Sequence, residues 1–260
     1  MRILLTGASG RLGPGLRQRL EAAGHDIVAT DLRPDPGGAP VELARLDDLD
    51  ALLVLAADVD AIVHLGGASN EAPWQTILGA NIEGTYHVFE AARRCGVKRV
   101  ILASTYHVVG MYPVDAAPLD LTAPPRPDSL YAVSKLFGES LAQLYCDKFG
   151  IECLAIRICA ASGANTSRDL SLWLAPEDLA GLVLAGLAAE TLGCRTIFGL
   201  SGSAKPWMAN QPDPGLDWQP SRHSGELTPP DGATQWPPAD PANSRIGAAF
   251  ARRGHPDDEA

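Results

Sequence analysis

Across roughly the first 200 of the chain's 260 residues, short apolar runs alternate with stretches in which apolar residues recur every three or four positions. This alternation predicts β-α-β units that build a parallel sheet covered by helices on both faces. Arg2 to Thr6 reads as a strand. Leu12, Leu16 and Leu20 then repeat at helical spacing until Gly24 stops the helix, and Asp26 to Thr30 is the next strand. Asp48 to Ala57 is predicted helical, Ala61 to Leu65 a strand, and Trp74 to Cys95 one long helix ended by Gly96. Val100 to Ala103 is another strand. Prolines at 113, 118, 124, 125 and 127 then impose a long irregular loop of the kind that usually carries function. Asp128 or Ser129 can cap a helix reaching about Phe149. Cys153 to Ile158 is a strand, Pro176 opens a helix with Leu179, Val183 and Leu187 on one face, and Arg195 to Phe198 is a last strand.

Beyond Ser201 the alternation ceases, and ten of the 21 prolines and three of the five tryptophans follow. We expect residues 1–200 to form the nucleotide-binding domain and 201–260 a short C-terminal segment. Trp207, Trp218 and Trp236 would press that segment onto the domain or onto a neighbouring subunit. The formal charge of −10, with no basic run, argues against a nucleic-acid partner. Five cysteines without C-x-x-C spacing read as reduced thiols. No apolar run is long enough for a signal segment or a membrane span, which predicts a cytoplasmic protein. His64, His107, His223 and His255 lack metal-ligand spacing, so no metal is expected.

Gly7, Gly10 and Gly13 stand at G-x-x-G-x-x-G spacing between the first strand and the first helix. In that context Gly7 permits the tight turn, Gly10 lets a pyrophosphate approach the backbone, and Gly13 allows close helix packing, as in a Rossmann-type doubly wound sheet. Asp31, at the end of the second strand, can accept hydrogen bonds from the adenosine ribose or cap the turn that follows. The first role favours NAD over NADP, with Arg33 leaving room for dual use.

Tyr131 and Lys135 are four residues apart and so emerge on one helix face. A phenol becomes a usable base when a neighbouring cation stabilises its phenolate, and Lys135 can also hold the nicotinamide ribose. At the end of a strand, Ser104 or Thr105 can hydrogen-bond the reacting oxygen. His107 beside them is either structural or catalytic.

Together these elements resemble the extended branch of the short-chain dehydrogenase/reductases, the NAD-dependent epimerase/dehydratase family, over about residues 1–200. A narrower likeness is to the uronate dehydrogenases. It is carried by His64-Leu65-Gly66-Gly67-Ala68-Ser69, by Ile77 to Gly84, by Tyr131 to Gly138 with Glu139, and by Arg168 followed by Leu170 to Trp173. The resemblance implies Thr105, five residues before Gly110, as the catalytic hydroxyl beside Tyr131 and Lys135. It implies a cofactor site of Gly7, Gly10, Arg11, Leu12, Gly13, Asp31, Leu65, Gly66, Gly67, Asn81, Ser104 and Ile158. On the substrate side it implies Ser69, Thr105, Tyr106 and His107, with Arg168 on the sugar carboxylate.

Three positions depart from the family pattern. Its adenine-side Asp-Leu reads Arg45-Leu46 here, so that contact is rebuilt or lost around Leu46. Tyr106 stands where the family has Asn, and Ala160 where it has Ser, which predicts altered sugar contacts and a pocket narrowed by Tyr106. The implied activity is NAD-dependent oxidation of a hexuronic acid at its anomeric carbon. The alternatives are related chemistry on another small sugar or a nucleotide sugar, and an NAD-sensing protein without catalysis. The long helices after Trp74 and Ser129 are candidates for pairing in a homo-oligomer.

Overall fold

A strand covered on both sides is apolar at nearly every position, and its period of two appears only in where successive side chains go. The structure is a computed structural model that describes residues 1–161, 168–210, 213, 215–228 and 244–258. Among the described residues the strands are β1 (Arg2–Thr6), β2 (Asp26–Asp31), β3 (Glu42–Leu43), β4 (Ala61–His64), β5 (Arg99–Thr105), β6 (Glu152–Ile158) and β7 (Cys194–Gly199). They pair in parallel in the order β3-β2-β1-β4-β5-β6-β7. The order reverses between β1 and β4, so the carboxyl ends of these two strands flank the crevice where sheets of this kind take ligands.

The helices are α1 (Gly13–Ala22), α2 (Leu49–Ala56), α3 (Trp74–Ile77), α4 (Gly84–Cys95), α5 (Leu130–Phe149) and α6 (Pro176–Ala188). Ile3 and Leu5 of β1, Val63 of β4 and Ile101 of β5 point to one face. There they meet Leu16 and Leu20 of α1 and Leu179, Val183 and Leu187 of α6. Leu4, Ile62, Val100 and Leu102 point to the other face, against Leu52 of α2, Val88 and Phe89 of α4, and Leu141 and Tyr145 of α5. The sheet is thus doubly wound.

Two elements differ from the sequence reading. β3 is a two-residue edge strand whose exposed Glu42 and Leu43 carry no apolar signal. The predicted helix from Trp74 to Cys95 is interrupted by a π-helical turn at Leu78–Glu83. Such a turn barely disturbs apolar spacing, so periodicity alone reads through it, and insertions of this kind tend to occur at functional sites.

A third apolar cluster lies beyond the sheet's carboxyl end. It joins Tyr106, Val108 and Leu119 from the proline-rich loop, Leu172, Phe198 and Leu200, and Trp207, Met208 and Ile246 from the C-terminal segment. The described part of that segment is anchored on α6. There Asp178, 1% exposed, accepts hydrogen bonds from Ser201 Oγ at 2.5 Å, from Ser221 N and Oγ at 2.7 Å each, and from Arg222 N at 3.3 Å. Trp218 packs against the core beneath α6, whereas Trp236 lies outside the described residues.

Asp178→Ala strands these donors, and hydrogen bonds to a charged group are the stronger kind, so the change should cost roughly 2–4 kcal/mol. Urea unfolding followed by circular dichroism measures it. A loss under about 1 kcal/mol would mean that Asp178 does not anchor the C-terminal segment.

Candidate active site

The loop between β1 and α1 enters the crevice with its backbone foremost. Gly7 has φ +72°, and a Cβ there would lie 2.7 Å from Gly66 N. A Cβ on Gly13 would lie 2.3 Å from Ala8 O. The two glycines therefore let the loop lie flat against the end of β4 and against its own turn. Gly10 is exposed, with only Gly7 O near its open side at 3.2 Å. α1 starts with no side-chain cap and no acidic residue in its first turn, which leaves its N-terminal donors and positive dipole end for an anion. These features fit a dinucleotide pyrophosphate. Arg11 is exposed and Leu12 half-buried at the same helix start.

Asp31 shows one of the two roles open to it from the sequence, the cap. Its Oδ2 accepts from Ser9 N at 2.9 Å, and its Oδ1 from Leu32 N at 2.7 Å and Arg33 N at 3.3 Å, so it pins the glycine loop while capping the turn after β2. A carboxylate offers about four acceptor positions, so with three taken one is left open to a ribose hydroxyl. Arg45 is turned to Asp47 at 2.6 Å. Leu46 lies close over Gly66, where an added Cβ would meet it at 2.8 Å.

Tyr131 and Lys135 both lie on α5. Ser129 caps this helix by accepting from Ala132 N at 3.1 Å, and Glu71, arriving from the loop after β4, accepts from Leu130 N at 3.0 Å and Tyr131 N at 2.9 Å. A carboxylate at a helix N-terminus satisfies otherwise unpaired donors and the dipole together. The Lys135 ammonium lies 5.9 Å from the Tyr131 ring centroid. Burial pushes the Tyr131 phenol up to about 12, and a hydrogen bond with Thr105 opposes the rise. Burial lowers the Lys135 ammonium to about 8. Side chains alternate along β5, so Thr105 faces Tyr131, whereas Ser104 Oγ donates to Glu139 Oε1 at 2.5 Å. That contact turns the Ser104 hydroxyl away from Tyr131 and leaves the Thr105 hydroxyl beside it.

The π-helical turn brings Asn81 to 1% exposure. Its Nδ2 donates to Ala68 O at 3.0 Å and Ser134 Oγ at 2.9 Å, and its Oδ1 accepts from Ala68 N at 2.7 Å. Ser134 Oγ donates on to Tyr131 O at 2.7 Å. Asn81 thereby ties the loop of Gly66, Gly67 and the exposed Ser69 to the catalytic helix. His64 bridges Thr6 Oγ1 at 2.7 Å and Thr85 Oγ1 at 3.2 Å, and Thr6 Oγ1 accepts from Gly66 N at 3.2 Å. Burial holds His64 neutral, its pKa lowered to about 3. Leu65, half-buried, continues the same edge of the crevice.

Beyond the end of β6, Arg168 Nη2 donates to Tyr106 OH at 2.8 Å and to Ile246 O at 2.5 Å, and its guanidinium stands 5.6 Å from the Trp207 ring centroid. Its Nε is buried without a hydrogen-bond partner among the described residues. Glu177, nine residues further along, pairs with Arg19 at 3.0 Å and Arg222 at 3.5 Å. His107 lies beside Tyr106 and Tyr131, with Phe250 4.2 Å from its ring. Ile158 ends β6 in register with Thr105, and Ala160 bridges to Trp173 through its backbone.

Sequence reasoning passed over Glu71, Ile246 and Phe250, because each acts on residues far away in the chain. Glu139 was visible only as part of a family stretch. It pairs with Arg157 at 2.9 and 2.8 Å and so joins α5 to β6. Among the described residues no group of His, Cys, Asp or Glu is arranged to hold a metal.

Residues 3–176 match the NAD dependent epimerase/dehydratase family. The chain is 40% identical over 260 residues to a uronate dehydrogenase of Pseudomonas syringae pv. tomato, a match spanning 97% of this chain and 94% of that protein. Its structure is similar to that of a glucuronic acid dehydrogenase from Chromohalobacter salexigens, with a TM-score of 0.91, 39% identity, and 99% and 98% of the two chains covered. It is similar also to a variant uronate dehydrogenase from Agrobacterium tumefaciens solved with NAD, with a TM-score of 0.89, 38% identity, and 97% of each chain covered.

Two outcomes follow from the dry environment of α5. Because burial lowers the Lys135 pKa, the folded protein releases that proton before the unfolded chain does. The resulting penalty on folding is complete below about pH 8 and fades as pH rises toward 10.5. Lys135→Met should therefore abolish turnover yet melt above the wild type at pH 7, with the gap narrowing in melts at higher pH; a gap that widens contradicts it. Glu71→Ala should cost about 1 kcal/mol in denaturant unfolding and lower kcat several-fold, since it frees the helix start that carries Tyr131.

Proposed function

The chain belongs to the NAD dependent epimerase/dehydratase family and, within it, to the uronate dehydrogenases, and from that premise we propose that it oxidises a hexuronic acid at C1 to the aldarolactone with NAD as hydride acceptor. Arg168 carries this reading. It is a half-buried guanidinium braced through Nη2 by Tyr106 and Ile246, with a buried Nε still to be satisfied, and a carboxylate is the anion that such a group takes up by charge-assisted hydrogen bonds.

Gly7, Gly10, Arg11, Leu12 and Gly13 would hold the pyrophosphate, Asp31 the adenosine ribose, and Leu46, Leu65, Gly66, Gly67, Asn81, Ser104 and Ile158 the remaining cofactor surface. Bound NAD supplies the acceptor for the hydride that leaves C1. Tyr131 takes the proton of the C1 hydroxyl, Thr105 hydrogen-bonds that oxygen as the carbonyl forms, and Lys135 stabilises the phenolate and holds ribose. The sugar ring stays closed, so the oxidised product is a lactone. Ser69, Tyr106 and His107 contact the sugar while Arg168 fixes its far end. The presence of both Tyr131 and Lys135 favours catalysis over a purely sensory role.

Among the described residues no helix is long and apolar enough to cross a membrane. The five free cysteines support a reducing, cytoplasmic setting. Tyr86 on α4 and Val133, Leu144 and Phe149 on α5 are exposed, which supports association of copies through these helices.

Purified protein given NAD with galacturonate or glucuronate should form NADH. Arg168→Ala should raise KM for the uronate about 10- to 100-fold while leaving NAD affinity unchanged, as expected for losing charge-assisted hydrogen bonds. Turnover of a neutral aldose, with none of any uronate, would overturn the substrate assignment.

A further inference from the structure

The reaction as derived gives Asp128 no part, yet its carboxylate is the meeting point of three remote segments. The side chain is fully buried, with Oδ2 2.7 Å from His107 Nδ1. Oδ1 accepts from Ser129 Oγ at 2.8 Å, so the same group also braces the cap of the helix that carries Tyr131. A Cβ on either Gly110 or Gly247 would fall 1.8 Å from Oδ2. The proline-rich loop and the C-terminal segment therefore close on this carboxylate only because both lack a side chain there. Gly247 N also donates to Gly110 O at 2.8 Å.

His107 is held from other directions as well. Its ring centroid stands 4.2 Å from that of Phe250 and 4.3 Å from that of Tyr106, and the Tyr131 ring presents edge-on at 6.4 Å. An ionised carboxylate can only accept, so the proton of a neutral His107 sits on Nδ1. Nε2, the other ring nitrogen, is then an acceptor. A sugar hydroxyl is a donor that such an atom takes up.

We propose that Asp128 is a positioning residue for substrate recognition: it locks His107 in the Nδ1-protonated tautomer, so that Nε2 accepts a hydrogen bond from a ring hydroxyl of the sugar acid. This rests on the uronate reading for its ligand but not for its geometry. Without the carboxylate the imidazole can adopt either tautomer, and the site loses its fixed acceptor while the dinucleotide crevice is untouched.

Two measurements test it. In the first, nitrogen-15 NMR of the unaltered protein with the imidazole neutral, assigned against His107→Ala, should show the Nδ1-protonated tautomer. Protonation at Nε2 overturns the proposal. In the second, Asp128→Asn should raise KM for the uronate about ten-fold or more, with kcat within about three-fold and NAD affinity within about two-fold of wild type. The same substitution in a His107→Ala background should add almost nothing. An unchanged KM, additive effects, or an equal loss of NAD affinity would reduce Asp128 to a packing role and overturn the proposal. Failure of the unaltered protein to oxidise any uronate would instead end the substrate reading, and the NMR result would still decide the tautomer.

Discussion

The arrangement depends on keeping a phenol and an ammonium nearly dry at the open end of the sheet. Burial works against both: it is the main cause that leaves Tyr131 at about 12 and it lowers Lys135 to about 8. Their protonation is therefore set by whatever fills the crevice and by the few polar atoms that reach them. Thr105 is one such group, and the positive charge of Arg11 from the glycine loop acts on Tyr131 in the same direction. A site of this kind is sensitive to small displacements, which explains how much of the surrounding structure immobilises α5.

That immobilisation comes from several directions. Glu71 and Ser129 hold the start of the helix, Asn81 and Ser134 hold its first turns, and Glu139 fastens it to β5 and β6 through Ser104 and Arg157. Most of these links run from a side chain to a backbone group or to a buried charge, where removing one partner is costly. Beneath the crevice, the Gly66, Thr6, His64 and Thr85 chain does the same for the loop after β4. His64 can serve this way because burial keeps it uncharged.

The substrate side is built differently. Its walls come from the proline-rich loop, the residues after β6 and the C-terminal segment, which share an apolar cluster of their own beyond the sheet. Arg168 is anchored there by Tyr106 and by the carbonyl of Ile246, so a residue that departs from the family pattern helps to fix the guanidinium in place.

The sequence by itself determined the doubly wound sheet, the glycine turn that enters its crevice and the common helix of Tyr131 and Lys135. Those signals are local: apolar runs, a three-glycine turn, a carboxylate at a strand end, and a phenol and an ammonium one helical turn apart. It could not separate Ser104 from Thr105 by position alone; the pleat of β5 did that by sending one hydroxyl to Glu139 and the other toward Tyr131. Nor could it reveal Glu71 at the start of α5, the π-helical turn that aims Asn81, or the closure of Gly110 and Gly247 on Asp128. Each of these depends on groups brought together from distant parts of the chain, and such proximity leaves no periodicity or spacing to read. Only the packed tertiary structure decides which polar atoms find each other once water is excluded.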